Sequence, residues 1–365
     1  MSYFKKIRLN NFRNFHNYEN EFSKNCNVLF GKNGSGKTNI LEGISLFSRG
    51  TGIRNDNLKY IIKFNEENFF NYGEFISLNQ NYEIKTFSQK KNEKFFKKIL
   101  INDDKNKETI DNFQSLLSFI IFEPEMERFF LLTPSFRRKF IDRFIYSYNK
   151  SYAQLINKYK KNIRERSLII KSNILDEIWL LNIEENIAKT GTQIYKYREE
   201  QIKILNTSLN KLYSKKKSPF LIEIEIIDKS LSENPSIITD IQLYKKLLKL
   251  NRKIDSLSGI TSCGPHRSDF TGYADSTVPL NQLSTGQQKT IVLLFILSQC
   301  QFLIEKFNVY PILLMDEVCS HLDETNRTIL MNLLQEFDLQ FFMTGTDKSL
   351  FAFLSTNVEY YNISG

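Results

Sequence analysis

GKNGSGKT, Gly31 to Thr38, is the stretch that decides the fold. It fits the pattern GxxxxGK[ST]. It also stands between an apolar run, CNVLF at 26–30, and a segment in which Ile40, Leu41, Ile44 and Phe47 recur at helical spacing. Glycines let backbone N–H groups wrap a phosphate, and the N-terminus of the following helix adds partial positive charge. The chain has only 14 glycines in 365 residues, so a chance match between such flanks is rare. Gly31, Lys32, Asn33, Gly34, Ser35, Gly36, Lys37, Thr38 and Asn39 are therefore assigned to nucleotide binding. Lys37 should reach the β- and γ-phosphates, and the Thr38 hydroxyl should bind Mg2+.

A second apolar run, PILLMDEV at 311–318, reads as a buried strand ending in two acids. In a parallel sheet the carboxyl ends of the strands line the ligand crevice. Asp316 can hold the metal there, and Glu317 is placed to polarise an attacking water, which implies hydrolysis as well as binding. A third stretch, NQLSTGQQKT at 281–290, offers hydroxyls at Ser284 and Thr285, a glycine at Gly286 and then a helical run with Gln287. It suits an anion, and a plain helix N-cap is the alternative reading.

LSTGQQK resembles the signature loop of ABC-type ATPases, and SHLD, Ser320 to Asp323, resembles their D-loop. The resemblance implies that Ser284, Gly286 and Gln287 of one subunit close on the ATP held by the other, in a head-to-head dimer. LNNFRNF ahead of the glycines, IIFEPEMERFFLLTPSFRRKFID, GPHRSDF and QFFMTGTD complete the series, in the order expected of the RecF family of SMC-like ATPases. The resemblance spans essentially the whole chain. It implies an α/β fold, an ABC-type (SMC-like) P-loop ATPase head with an inserted, mainly helical arm. It also implies ATP with Mg2+, an ATP-dependent homodimer, slow DNA-dependent hydrolysis, binding to gapped, single-strand and duplex DNA, and work with RecR and RecO in loading RecA. Two positions depart from the wider ABC pattern. Thr344 or Thr346 stands where transporters have the switch histidine, and Glu123 stands near the place of the Q-loop glutamine.

The hydrophobic pattern changes near Phe136, where Phe140, Ile141, Phe144, Ile145, Tyr148, Tyr152, Leu155, Ile156, Tyr159 and Ile163 trace one helical stripe. Helical pattern continues to about 213, and FLIEIEII at 220–227 alternates like a strand. The expected division is a head from 1–125 and 219–365, with an arm at 126–218.

Net charge is +9, and residues 137–171 carry eleven Lys or Arg against two acids. Arg137 and Arg138, which open that segment, and Arg54, after the P-loop, are the candidate DNA contacts; the aromatic stripe is assigned to the core. The cysteines Cys26, Cys263, Cys300 and Cys319 lack metal-ligand spacing, which argues for a reducing compartment. Charges stand where a signal peptide needs an apolar core, and the longest apolar run is broken by glutamines. A cytoplasmic, nucleoid-associated protein without membrane contact is expected. The alternatives are a transporter's ATPase subunit, disfavoured by the long interval between P-loop and signature and by the missing histidine, or another SMC-like or defence ATPase, disfavoured by the short tail after Asp347.

Overall fold

The computed structural model describes residues 1–50, 52–54, 57–91, 94–172, 176–228, 240–320, 323–354 and 357–364, the side chains of 333, 334 and 336 excepted. They form two compact units, Met1–Glu127 with Cys300–Gly365, and Arg128–Gln299.

The first unit opens with β1 (Ser2–Phe12) and β2 (Phe15–Glu21), then β3 (Cys26–Phe30), α1 (Lys37–Ser45), α2 (Leu58–Ile61), β4 (Phe70–Ser77), β5 (Gln80–Lys91), β6 (Lys94–Ile101), α3 (Lys107–Leu116) and β7 (Phe119–Phe122). An antiparallel sheet has the order β2-β1-β4-β5-β6. The alternation of β1 slips by one residue at a bulge between Phe4 and Lys6, so Phe4, Ile7 and Leu9 all point into the core.

The second unit contains α4 (Pro134–Tyr148), α5 (Tyr152–Lys171), α6 (Glu177–Ser214), β8 (Ile222–Ile227), α7 (Ile241–Leu250), α8 (Arg252–Ser258), β9 (Asp269–Ala274), β10 (Val278–Pro279) and most of α9 (Thr285–Phe307). Of the aromatic stripe, Phe140, Phe144, Tyr152 and Tyr159 are buried in the core, as expected, while Tyr148 is half-buried. The stripe is two helices instead of one, because the Asn149 side chain accepts hydrogen bonds from the Ser151 backbone and hydroxyl and turns the chain between them. Helix α9 is long and apolar enough to cross a membrane, yet it is mostly buried as a core helix. Its Gln299 donates to the Phe144 carbonyl and the Ser147 hydroxyl.

This unit keeps residues 219–299, which the sequence reading returns to the head. The cause is local. Strand β8 pairs with β9, and Asn206 of α6 bonds both the N–H and the C=O of Ile224, tying the strand to the long helix.

The chain re-enters the first unit with β11 (Ile312–Met315), α10 (Glu324–Glu336), β12 (Phe341–Gly345) and β13 (Val358–Asn362). These join β3 and β7 in a parallel sheet of order β13-β3-β12-β11-β7. Its inner strands are largely apolar runs, as a sheet covered on both faces requires. Val28, Leu29, Leu313, Leu314, Phe342 and Met343 are fully buried or nearly so, while the edge strand β13 is the more polar VEYYN. The segments after β3, β7, β11 and β12 emerge along one edge.

Candidate nucleotide site

The glycine loop leaves β3 at that edge. Gly34 and Gly36 hold φ of 82° and 103°, a left-handed conformation that glycine adopts without strain. A Cβ on Gly31 would lie 2.4 Å from the Ile363 carbonyl oxygen, and one on Gly36 would strike Phe15 and Asn14, so these two positions are closed to any larger residue. Lys37 Nζ donates to the carbonyls of Gly31 (2.8 Å) and Lys32 (3.1 Å), folding over the loop from inside. The Ser35 hydroxyl is buried without a hydrogen-bond partner among the described residues, an acceptor-seeking group inside the loop. Both fit a phosphate.

Thr38 and Asp316 meet. The Thr38 hydroxyl lies 3.0 and 2.9 Å from the two carboxylate oxygens of Asp316, joining the glycine loop to the end of β11 across 278 residues of sequence. A hydroxyl beside a carboxylate is the hard-oxygen pair that Mg2+ accepts. The sequence left Thr344 and Thr346 open, and the structure separates them. Thr344 is buried, donates to Asp316 Oδ1 (2.6 Å) and accepts from the Glu317 N–H (2.8 Å), whereas Thr346 is exposed. Glu317 is held at φ 50°, and its carboxylate accepts from the Ser320 hydroxyl at 3.2 Å. Glu123 follows β7, whose Phe122 is in register with Met315, so it reaches the same edge as Asp316. Of the D-loop stretch, His321 and Leu322 lie outside the described residues.

The FRNF segment acquires a physical role that the sequence reading missed. Phe12 pairs with Phe15, and Arg13 and Asn14 form the turn between β1 and β2. Asn14 Nδ2 donates to the Ser35 carbonyl (3.1 Å), and Asn39 donates to Asn14 Oδ1 (2.8 Å). Arg13 grips the fully buried Glu42 of α1 with two nitrogens, at 2.8 and 2.7 Å. The turn thus pins both the loop and its helix. Arg54 is exposed, donates to Asn39 Oδ1 (3.0 Å) and lies 3.7 Å from Glu42.

In the second unit, the loop at 284–287 adopts the capping geometry. Ser284 N–H donates to Gln287 Oε1 (2.9 Å), and Gln287 N–H donates to the Ser284 hydroxyl (3.3 Å), a reciprocal box at the start of α9. Ser284 and Thr285 are nonetheless exposed, and Gly286 and Gln287 are partly so. The loop is held from behind by buried Gln288, which donates to the Leu283 carbonyl and accepts from Phe130 N–H. The helix-cap reading is realised, and the outer edge stays open to a ligand.

The DNA assignment of Arg137 is corrected. Its guanidinium grips Asp269 at 2.7 and 2.5 Å and also donates to the carbonyls of Phe130 (2.9 Å) and Leu132. A buried cation so engaged is a structural clamp. Arg138 is half-buried and donates to the Ser268 carbonyl at 2.6 Å, so it too serves the GPHRSDF loop. In that loop a Cβ on Gly264 would fall 2.0 Å from the Tyr244 hydroxyl. His266 Nε2 faces the Thr261 carbonyl at 2.9 Å, so it carries the proton, and Nδ1 accepts from the Tyr159 hydroxyl at 2.7 Å. Burial, opposed by the Thr261 hydrogen bond but reinforced by Arg267, Arg138 and Arg198, pushes the imidazole down to about 4. His266 is therefore neutral and structural. The four cysteines are all free and buried, and no group of three or more His, Cys, Asp or Glu among the described residues could hold a metal.

Comparison with known proteins places these features in company. The family model of the RecF/RecN/SMC N terminal domain matches residues 3–364. The DNA replication and repair protein RecF of Rickettsia typhi is 32% identical over 357 residues, 93% of each chain. That of Rickettsia prowazekii is 33% identical over 353 residues, again 93% of each. A solved structure of the recombination mediator protein RecF with ATPrS, from the RecFOR pathway, superposes with a TM-score of 0.84 at 27% identity, covering 99% of this chain and 96% of that one. An Smc head bound to the C-winged helix domain of ScpA shares the fold, with a TM-score of 0.54 at 16% identity over 96% of this chain and 91% of the other.

Proposed function

We propose a function that proceeds from one premise: the chain belongs to the RecF family, the SMC-like ATPases of DNA replication and repair. The chain acts as an ATP-driven switch on DNA. ATP binding joins two copies head to head, the dimer holds DNA at single-strand/double-strand junctions, and slow hydrolysis releases it. RecR and RecO are its partners in loading RecA, and its place is the cytoplasm, on the nucleoid. The observation that carries the reading is the Thr38–Asp316 contact, which joins the phosphate loop to the acidic strand end in a chain so similar to RecF along its whole length.

The residues divide the work by chemistry. Lys37 exchanges its two carbonyl partners for phosphate oxygens, and the Ser35 hydroxyl gains the acceptor it lacks. Thr38 and Asp316 are the residues that would hold Mg2+, which when bound neutralises charge on the transferred phosphoryl group. Thr344, in contact with the carboxylate of Asp316 and the backbone of Glu317, ties metal binding to the position of Glu317. Glu317 accepts a proton from, or orients, the attacking water. Ser284, Gly286 and Gln287 present the exposed edge of a helix N-terminus to the nucleotide of the partner copy. Arg54 keeps an exposed guanidinium for DNA phosphate.

Sedimentation and DNA binding, each with and without ATP, test the reading. A chain that becomes a dimer and binds a gapped duplex only with ATP supports it; a chain that binds DNA equally as a monomer without nucleotide contradicts it.

A further inference from the structure

The basic segment at 137–171 separates, in the structure, into engaged and unengaged cations. Arg137 is clamped to Asp269, and Arg138 to Ser268. Arg166 is fully buried between Glu184 (3.1 Å) and Asp255 (2.6 Å). Lys158, Lys160, Lys161 and Arg164 form a different group. All four are exposed, and among the described residues none has an ion pair or hydrogen bond.

The helical period explains the separation. Helix α5 buries Tyr152, Tyr159, Asn162, Arg166 and Ile169 along one side. At 100° per residue, Lys160, Lys161 and Arg164 project from the opposite side, whereas Lys158, though exposed, stands beside the edge of the buried side. Four cations thus crowd into seven residues, roughly 9 Å of helix axis. The one acid among them, Glu165, is half-buried toward the margin. Unpaired like charges at i, i+3 and i, i+4 repel one another and weaken the isolated helix. The fold keeps them together, and among the described residues no acid pairs with them. Duplex DNA supplies one phosphate charge per roughly 1.7 Å of axis, enough to give each of these cations a partner.

We propose that the exposed surface of α5, with Lys160, Lys161 and Arg164 at its centre and Lys158 on its flank, contacts the phosphate backbone of DNA. The inference rests on the functional reading above and specifies its surface, replacing Arg137 and Arg138 as the anchors. These cations position the nucleic acid through its phosphates, a contact that carries no sequence information.

The test uses the full chain with ATP and a fluorescent gapped duplex, titrated at several salt concentrations. In one variant Lys158, Lys160, Lys161 and Arg164 are all replaced by Gln, which preserves helix propensity. A control replaces Lys91, Lys94, Lys98 and Lys105, four exposed lysines of the first unit, by Gln and so removes the same total charge. If all four α5 cations meet phosphates, the slope of log affinity against log salt falls by up to about 3.6 in the first variant. Between roughly 50 and 200 mM salt the wild type then loses on the order of 100-fold more affinity than that variant. The control should keep most of the wild-type slope. Equal losses in the two variants, or an unchanged slope in the α5 variant, overturn the proposal while leaving the functional reading intact. A wild-type chain that fails to bind the duplex overturns both. ATP-dependent dimerisation of the α5 variant, read by sedimentation, should match the wild type, because none of the four residues is among those assigned to the nucleotide site.

Discussion

Replacing Arg137 with Ala separates a structural clamp from a DNA contact. The side chain is about 10% exposed, and its partner Asp269 18%. Truncation removes both bonds to that carboxylate and leaves it beside the unpaired carbonyls of Phe130 and Leu132. Breaking a buried pair by deleting one partner costs about 3–5 kcal/mol, most of it the uncompensated charge left behind. Spread over a typical urea slope, this is a fall in midpoint of roughly 2 M. The assay is direct, because Trp179, the only tryptophan of the chain, lies on α6 in the same unit and reports its unfolding by fluorescence. Near-wild-type stability combined with a reduced salt slope for DNA would refute the reasoning and return Arg137 to the phosphate backbone. Arg137→Lys should recover little stability, since an ammonium cannot span both carboxylate oxygens and two carbonyls.

Glu317→Gln should keep ATP binding while losing most hydrolysis, because Lys37, Thr38 and Asp316 are untouched; normal turnover would remove Glu317 from its role. Phe144→Ala should lower stability by about 3–5 kcal/mol through the cavity it leaves, given that the ring is 3% exposed and packs 4.6 Å from Phe140; a variant that folds as well as the wild type but loses DNA would place the ring on the ligand instead. His266 gives a pH dependence. Its folded pKa of about 4 lies below the ordinary 6.5, so the unfolded chain binds more protons between those values and stability falls as pH drops through that window. From pH 7 to 5 the second unit should lose about 2 kcal/mol relative to a His266→Gln variant, and parallel urea midpoints across that range would contradict it.

The nucleotide site was legible because its signals are local. The glycine spacing, its flanking strand and helix, and the acids ending an apolar strand are each contained within a few residues, and Thr38 and Asp316 do come together. Thr344 was one of two candidates, two residues apart, and the end of the strand decides it: Thr344 is buried within β12, while Thr346 has passed its last residue, Gly345. What escaped the sequence depends on distant partners. Nothing near Arg137 reveals Asp269, 132 residues away. Strand β13, a short terminal VEYYN, gains its place by pairing with β3 across the whole chain, and its neighbour Ile363 then walls the Gly31 turn. Helices α7 and α8 follow residues outside the described set and were not foreseen. The core stripe was legible as a face, but its break at Asn149 depends on a side-chain turn that period alone does not encode.

Two defective chains together test the central claim, a composite site shared between copies. Lys37→Met disables the phosphate loop, and Ser284→Arg blocks the signature edge with a bulky cation, so neither chain alone should hydrolyse ATP. A mixed dimer has one site with the intact Lys37 loop of one chain and the intact Ser284 loop of the other. Steady-state ATPase activity of the mixture, measured against each variant alone at equal total concentration, is the decisive quantity. The account predicts partial recovery, at up to half of the wild-type sites in each mixed dimer, accompanied by ATP-dependent sedimentation as a dimer. A mixture no more active than its components, or a Ser284→Arg chain that hydrolyses ATP normally by itself, would contradict it.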